Sequence, residues 1–212
     1  MNLSNATIES YLLQIGAVKL SPEKPYTWSS GWLSPIYCDN RKILSFPKIR
    51  KIITQQFLNF ITNKFSDVQI IAGVATGAIA HGILVADAQK LPFIYIRSKK
   101  KGHGLENQIE GVLHQGDRVV VIEDLISTGG SSIAAVEAVQ NAGGTVLGTI
   151  AIFTYGFAQA EEKFQQIGCP LYTLANYNTL LEEALKNGYI GKHDIEILKE
   201  WRKDPKNWEP VR

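Results

Sequence analysis

From residue 68 onward the chain is punctuated by short, unbroken apolar runs at 68–72, 93–96, 119–122, 146–153 and, more weakly, 171–174. Each is followed by a loop and then by a helical pattern. A strand with one wet face alternates apolar and polar residues, whereas a strand apolar at every position is buried on both faces. Such strands call for a mostly parallel sheet flanked by helices, an α/β architecture. The periodicity predicts the intervening helices at about 77–89, 131–142 and 157–167. In sheets of this kind ligands bind beyond the carboxyl ends of the strands. The loops that follow the apolar runs are therefore where chemistry is expected.

The residues before and after this pattern read differently. Ile8, Tyr11, Leu12 and Ile15 fall on one helical face, and Gly16 stops it. Residues 17–41 gather aromatics and turn formers (Pro22, Pro25, Gly31, Pro35), which predicts short strands and loops. A second helix is expected after Ser45, with Pro47 near its first turn and Ile49, Ile52, Ile53, Phe57 and Phe60 as its apolar stripe. From Asn176 the chain predicts one or two helices and an exposed tail. With no repeats or long linkers, a single domain over 1–212 is expected: an amino-terminal part at about 1–45, an α/β core at about 46–175, and carboxyl-terminal helices at about 176–212.

Several function classes are disfavoured. A net charge of +2 argues for no nucleic-acid or membrane partner, so an anion site must be local. The most apolar stretch, 70–86, is shorter than the roughly 20 residues of a membrane span, and glycines and His81 interrupt it. Cys38 and Cys169 have neither the number of a disulfide framework nor metal-ligand spacing. With no secretory pattern in the first ten residues, a cytoplasmic protein is expected.

The most informative passage is VVVIEDLISTGGS, residues 119–131. A buried strand delivers Glu123 and Asp124, followed by Leu125, Ile126, Ser127, Thr128, Gly129, Gly130 and Ser131, with a helix starting near Ser131. Glycines let backbone amides approach a phosphate closely, and a helix N-terminus adds positive dipole at the same point. Ser127, Thr128 and Ser131 offer hydroxyls. The acidic pair cannot serve the phosphate; it suits ribose hydroxyls, a Mg²⁺ shell or a developing cation. A capped helix alone would explain any one of these residues, but not the acids, hydroxyls and glycine pair in this order. Neither a G-x-x-x-x-G-K-[ST] loop nor a helix-opening G-x-G-x-x-G is present.

This passage resembles the phosphoribosyl-diphosphate motif of the type I phosphoribosyltransferases. Upstream, Arg97, Lys101, His103 and Gly104 resemble the mobile catalytic loop of the orotate phosphoribosyltransferases, as does the continuation from Asn107 to Gly111. The segment Tyr26-Thr27-Trp28-Ser29-Ser30-Gly31-Trp32-Leu33-Ser34-Pro35-Ile36-Tyr37 is similar to that family's amino-terminal signature, and the turn at 73–78 sits where the family has a loop against the diphosphate.

The resemblance implies a type I phosphoribosyltransferase-like fold with a small amino-terminal hood. It implies transfer of a phosphoribosyl group from phosphoribosyl diphosphate to orotate with Mg²⁺ held mainly by substrate, and a homodimer sharing the 97–104 loop across its interface. By the same resemblance Lys101, His103 and Asp124 are catalytic. Arg97, Lys101, His103 and residues 123–131 bind the phosphoribosyl diphosphate, and Ser127 and Tyr155 approach orotate. The chain departs from some members at Ser29, Gly77 and Ser98, where those carry Lys, and at 153–156, where an Arg is missing. Rival readings are a transferase for a purine, xanthine or uracil, and a metabolite sensor without catalysis. The 97–104 loop and the 26–37 segment argue against the first, and the retained loop cations with no added recognition domain in the sequence argue against the second.

Overall fold

The computed structural model describes residues 6–28, 30–97 and 108–210. The chain divides into two compact units, 1–46 with 175–212, and 47–174. The first unit opens with α1 (Ile8–Gln14), capped by Thr7, whose side chain accepts from the Ser10 N–H. Gly16, at φ +63°, turns the chain out of it. Strand β1 (Val18–Leu20) pairs antiparallel with β4 (Ile36–Cys38), and β2 (Tyr26–Thr27) pairs with β3 (Leu33–Ser34). The aromatic segment is thus two small hairpin-like pairings, as its turn formers indicated.

The second unit begins with α2 (Pro47–Lys64), whose buried row is Ile49, Ile53, Phe57 and Ile61. Ile52 and Phe60, expected in that stripe, lie half-buried on its flanks. Then follow β5 (Ile70–Val74), α3 (Ile79–Gln89), β6 (Phe93–Ile96), β7 (Ile109–Glu110), β8 (Arg118–Ile126), α4 (Gly130–Asn141), β9 (Thr145–Thr154), α5 (Ala158–Gln166) and β10 (Leu171–Asn176). The six strands form one sheet in the order β10-β9-β8-β5-β6-β7, with β6–β5–β8–β9 parallel and β7 antiparallel at the edge. Val119 and Val121 of β8, Ile70 and Ala72 of β5, and Ile94 and Ile96 of β6 form a core with Val136 and Val139 of α4 and Phe164 of α5. Helix α3 packs on β5 and β6 and against α2.

Two differences from the sequence reading matter for the site. The strand expected to end at Ile122 runs on to Ile126, so both carboxylates lie within it. Polar side chains interrupt the apolar pattern, but the ladder to β9 continues through Ile126↔Thr154. Strand β7 went unread because two residues carry no periodicity.

The chain returns to the first unit with α6 (Tyr177–Lys186), capped by the Asn176 side chain, and α7 (Lys192–Lys203). Here distant segments are tied by side-chain donors to backbone. The Trp201 indole donates to the Leu33 carbonyl at 3.2 Å, and the Tyr177 hydroxyl to the Leu198 carbonyl at 2.9 Å. No helix among the described residues is long and apolar enough to cross a membrane.

Candidate active site

The connection from β5 leads through α3 to β6 on one side, and that from β8 through α4 to β9 on the other. Strand order therefore reverses between β5 and β8, and a crevice opens at their carboxyl ends. Strand β5 ends at Val74, while β8 continues four residues past its last pairing with β5, Gly73↔Ile122. That unpaired edge faces the loop after β5. The result is a cleft of about 290 Å³ lined by Val74, Ala75, Thr76 and Gly77 on one side. On the other are Glu123, Asp124, Leu125, Ser127, Thr128, Gly129, Gly130 and Ser131.

The two carboxylates have different surroundings. Glu123 is 4% exposed. One of its oxygens accepts from the Ser132 hydroxyl at 2.7 Å and the other from the Asp124 N–H at 3.0 Å. Burial, and then the Asp124 charge beside it, push its carboxyl well above the ordinary carboxylate range, while the Ser132 hydrogen bond pulls the other way. Asp124 is less buried and lies against the backbone of Gly77, where an added Cβ would overlap its carboxylate. A side chain at position 77 would require the Asp124 carboxylate to shift.

The phosphate-type loop follows. Gly129 adopts φ +79°, a left-handed conformation that glycine takes without strain, and caps α4. The first amides of a helix have no intrahelical acceptor, so α4 presents donors and positive dipole at the cleft. Ile126 is fully buried; its carbonyl accepts from the Tyr155 N–H at 3.2 Å, so it shapes the loop from the core. Tyr155, expected near orotate, is 2% exposed, packed edge-on to Phe153 and stacked on Phe157, and is not among the lining residues.

The basic loop leaves the sheet between β6 and β7. The Arg97 N–H donates to the Gln108 carbonyl at 2.8 Å, closing its base, and the Arg97 guanidinium lies 3.4 Å from Glu110. Lys101, His103, Gly104 and Ser98 fall outside the described residues, as does Ser29. Among the described residues no group of three or more His, Cys, Asp or Glu side chains is arranged to hold a metal ion.

Two residues near the cleft escaped the sequence reading of the site. Ser132 lies one residue beyond the expected loop, and only the fold brings it to Glu123. His81 in α3 is 1% exposed, and neither ring nitrogen has a hydrogen-bond partner among the described residues. Burial pushes its imidazole down to about 4, with Arg50 acting in the same direction and Asp124 opposing.

The model of the phosphoribosyl transferase domain matches residues 40–171. The orotate phosphoribosyltransferase of Porphyromonas gingivalis is 54% identical over 95% of this chain and 96% of its own, and that of Bacteroides fragilis 56% identical over 93% of each. The chain belongs to the orotate phosphoribosyltransferase family. Among solved structures, the orotate phosphoribosyltransferase of Aeropyrum pernix superposes with a TM-score of 0.76 at 29% identity, over 87% of this chain and 100% of that one. The UMP synthase of Leishmania donovani shares the fold, with a TM-score of 0.78 at 23% identity over 92% of this chain and 41% of that one. In this phosphoribosyltransferase the acid pair, the 127–131 loop and the 75–77 turn meet in one cleft at the strand-order switch.

Proposed function

We propose that this chain transfers the phosphoribosyl group of 5-phospho-α-D-ribose 1-diphosphate to N1 of orotate, giving orotidine 5′-monophosphate and diphosphate, a step of pyrimidine biosynthesis. The observation that carries this reading is the cleft itself. A carboxylate, a hydroxyl- and glycine-rich helix start and a glycine turn face one another across about 290 Å³.

Residues 127–131 hold the 5′-phosphate through backbone amides and the hydroxyls of Ser127, Thr128 and Ser131, with the dipole of α4 behind them. Breaking the C1–O bond builds positive charge on the ribose ring. Asp124 opposes that charge, and Glu123, positioned by Ser132, takes a ribose hydroxyl. The 75–77 turn meets the diphosphate, and Arg97, Lys101 and His103 neutralise it as it leaves, with Lys101 or His103 supplying a proton. Ser127, which lines the cleft, is the residue assigned to orotate; Tyr155 supports the loop from the core. Bound Mg²⁺ would neutralise diphosphate charge, carried mainly by the substrate. Asp124, the less buried cleft carboxylate, fits an outer contact to its water shell better than a protein cage would.

The active unit is a homodimer in which the 97–104 loop serves the partner's site. Mixing Lys101→Ala with Asp124→Asn under subunit exchange then restores activity, because one site of each mixed dimer carries neither defect. A dead mixture with confirmed exchange excludes the shared site. The function is tested by incubation with Mg²⁺, phosphoribosyl diphosphate and a panel of bases. Nucleotide is expected from orotate and not from adenine, hypoxanthine or uracil; equal turnover of a purine would overturn the orotate assignment.

A further inference from the structure

Helix α5 approaches the 127–131 loop from behind, and one of its side chains grips it. Lys163 Nζ donates to the Thr128 carbonyl oxygen at 3.0 Å, a link between residues 35 apart in sequence. Ala160 and Phe164, on the same face of α5, close against Gly129: a Cβ there would stand 3.3 Å from the Ala160 Cβ and 3.8 Å from the Phe164 ring. Thr128 and Gly129 both line the cleft.

The Thr128 carbonyl and the Gly129 N–H belong to one peptide unit. In a trans peptide the two groups point in opposite directions. A carbonyl tied back to α5 therefore turns the Gly129 N–H away from α5 and toward the cleft. A charged donor on the carbonyl also polarises the whole amide, making its N–H a stronger donor on the far side.

We propose that Lys163 is a positioning residue for the phosphorylated end of the substrate: acting through the Thr128–Gly129 peptide, it aims and strengthens the Gly129 N–H for a phosphate oxygen without touching the ligand. This rests on the reading that the 127–131 loop holds the 5′-phosphate. Lys163, half-buried on α5, spends its ammonium on the backbone carbonyl of a residue that lines the cleft.

The test is calorimetric titration of ribose 5-phosphate into the wild-type enzyme and the variants Lys163→Met, Lys163→Arg and Ser131→Ala, with steady-state kinetics beside it. Loss of one charged hydrogen bond behind the loop is expected to weaken ribose 5-phosphate binding about ten-fold. Lys163→Met should raise KM for phosphoribosyl diphosphate by a similar factor, leaving KM for orotate unchanged. Lys163→Arg, which keeps a charged donor, should recover most of the affinity. Thermal melting reports the fold. Parallel loss of orotate and ribose 5-phosphate affinity in Lys163→Met would mark a merely structural lysine and overturn the proposal. Unchanged binding in Lys163→Met, with weakened binding in Ser131→Ala, would overturn it while leaving the loop reading intact. Unchanged binding in both would show that the loop does not hold the phosphate, and both would fall.

Discussion

Among the described residues of the 47–174 unit, two clefts of about 290 Å³ are equal in size and different in everything that chemistry needs. One lies between β9, β10 and α5, lined mostly by side chains of those elements, among them Thr154, Phe164, Leu171 and Thr173, with Cys169 and Pro170 from the turn between α5 and β10. Its thiol, Cys169, is buried 3.5 Å from the Thr149 hydroxyl, and burial pushes it above the ordinary thiol range, away from the reactive thiolate. The other cleft is lined by loop backbone, two adjacent glycines at the start of α4, four hydroxyls (Thr76, Ser127, Thr128 and Ser131) and the two carboxylates near the end of β8. Volume does not distinguish them. What does is where backbone donors leave regular structure and where charge is held close to them.

Changes in the strand-end cleft should therefore cost activity out of proportion to stability, whereas a change at an exposed position of the α5 cleft should cost neither. The largest effect is expected for Asp124→Asn, which keeps shape and removes the charge opposite the developing ribosyl cation. Loss of one such contact lowers kcat by about 10²–10³, with substrate affinity and melting temperature much less affected. An unchanged kcat would reduce Asp124 to a strand-end residue.

The next effect is on stability, and it depends on pH. The His81 imidazole is depressed to about 4 in the folded chain, chiefly by burial, against 6.5 for the free side chain. The unfolded chain thus binds the proton first. The stability contributed by neutral His81 is whole above pH 6.5 and lost as pH falls toward 4. A shift of this size amounts to about 3 kcal/mol. Denaturant midpoints of the wild type and His81→Gln across that window should converge as the wild type loses stability. Parallel curves would contradict the buried, neutral state.

Gly77→Ala comes third. The new methyl must displace the Asp124 carboxylate while leaving both strands intact. Misplacement of a catalytic group by about 1 Å costs up to about 100-fold, so kcat should fall with the melting temperature nearly unchanged. Full activity would mean that Asp124 tolerates the shift. The smallest effect is expected in the other cleft. Gln165→Ala, at an exposed position of α5, should alter stability by less than about 0.5 kcal/mol and leave kinetics as they are. A loss of activity there would break the distinction between the two clefts.

Much of this was legible in the sequence, for reasons that differ by region. Parallel strands buried on both faces write themselves as unbroken apolar runs, so β6 and β9 stand almost where the pattern put them. The 123–131 passage was legible because its chemistry is local: acids, hydroxyls and glycines sit within one strand-to-helix turn. Contacts made by the fold were not. Ser132 reaches back nine residues to Glu123, and Lys163 reaches 35 residues to Thr128. Tyr155, which the resemblance places near orotate, is drawn into the core by its aromatic packing with Phe153 and Phe157, which no local pattern reveals. The extension of β8 past Ile122 was hidden because hydrogen bonds to β9 hold two carboxylates in a strand that the apolar pattern alone would have ended.

If the strand-end cleft, and not its equal in volume, holds the phosphorylated ribose, backbone amide NMR of the isotope-labelled chain during titration with ribose 5-phosphate should show it. The largest shifts are expected at Ser127, Thr128, Gly129, Gly130 and Ser131, with smaller ones at Thr76 and Gly77, while Leu171 and Thr173 stay still. Saturable shifts centred on Leu171 and Thr173, with the 127–131 amides unmoved, would contradict it.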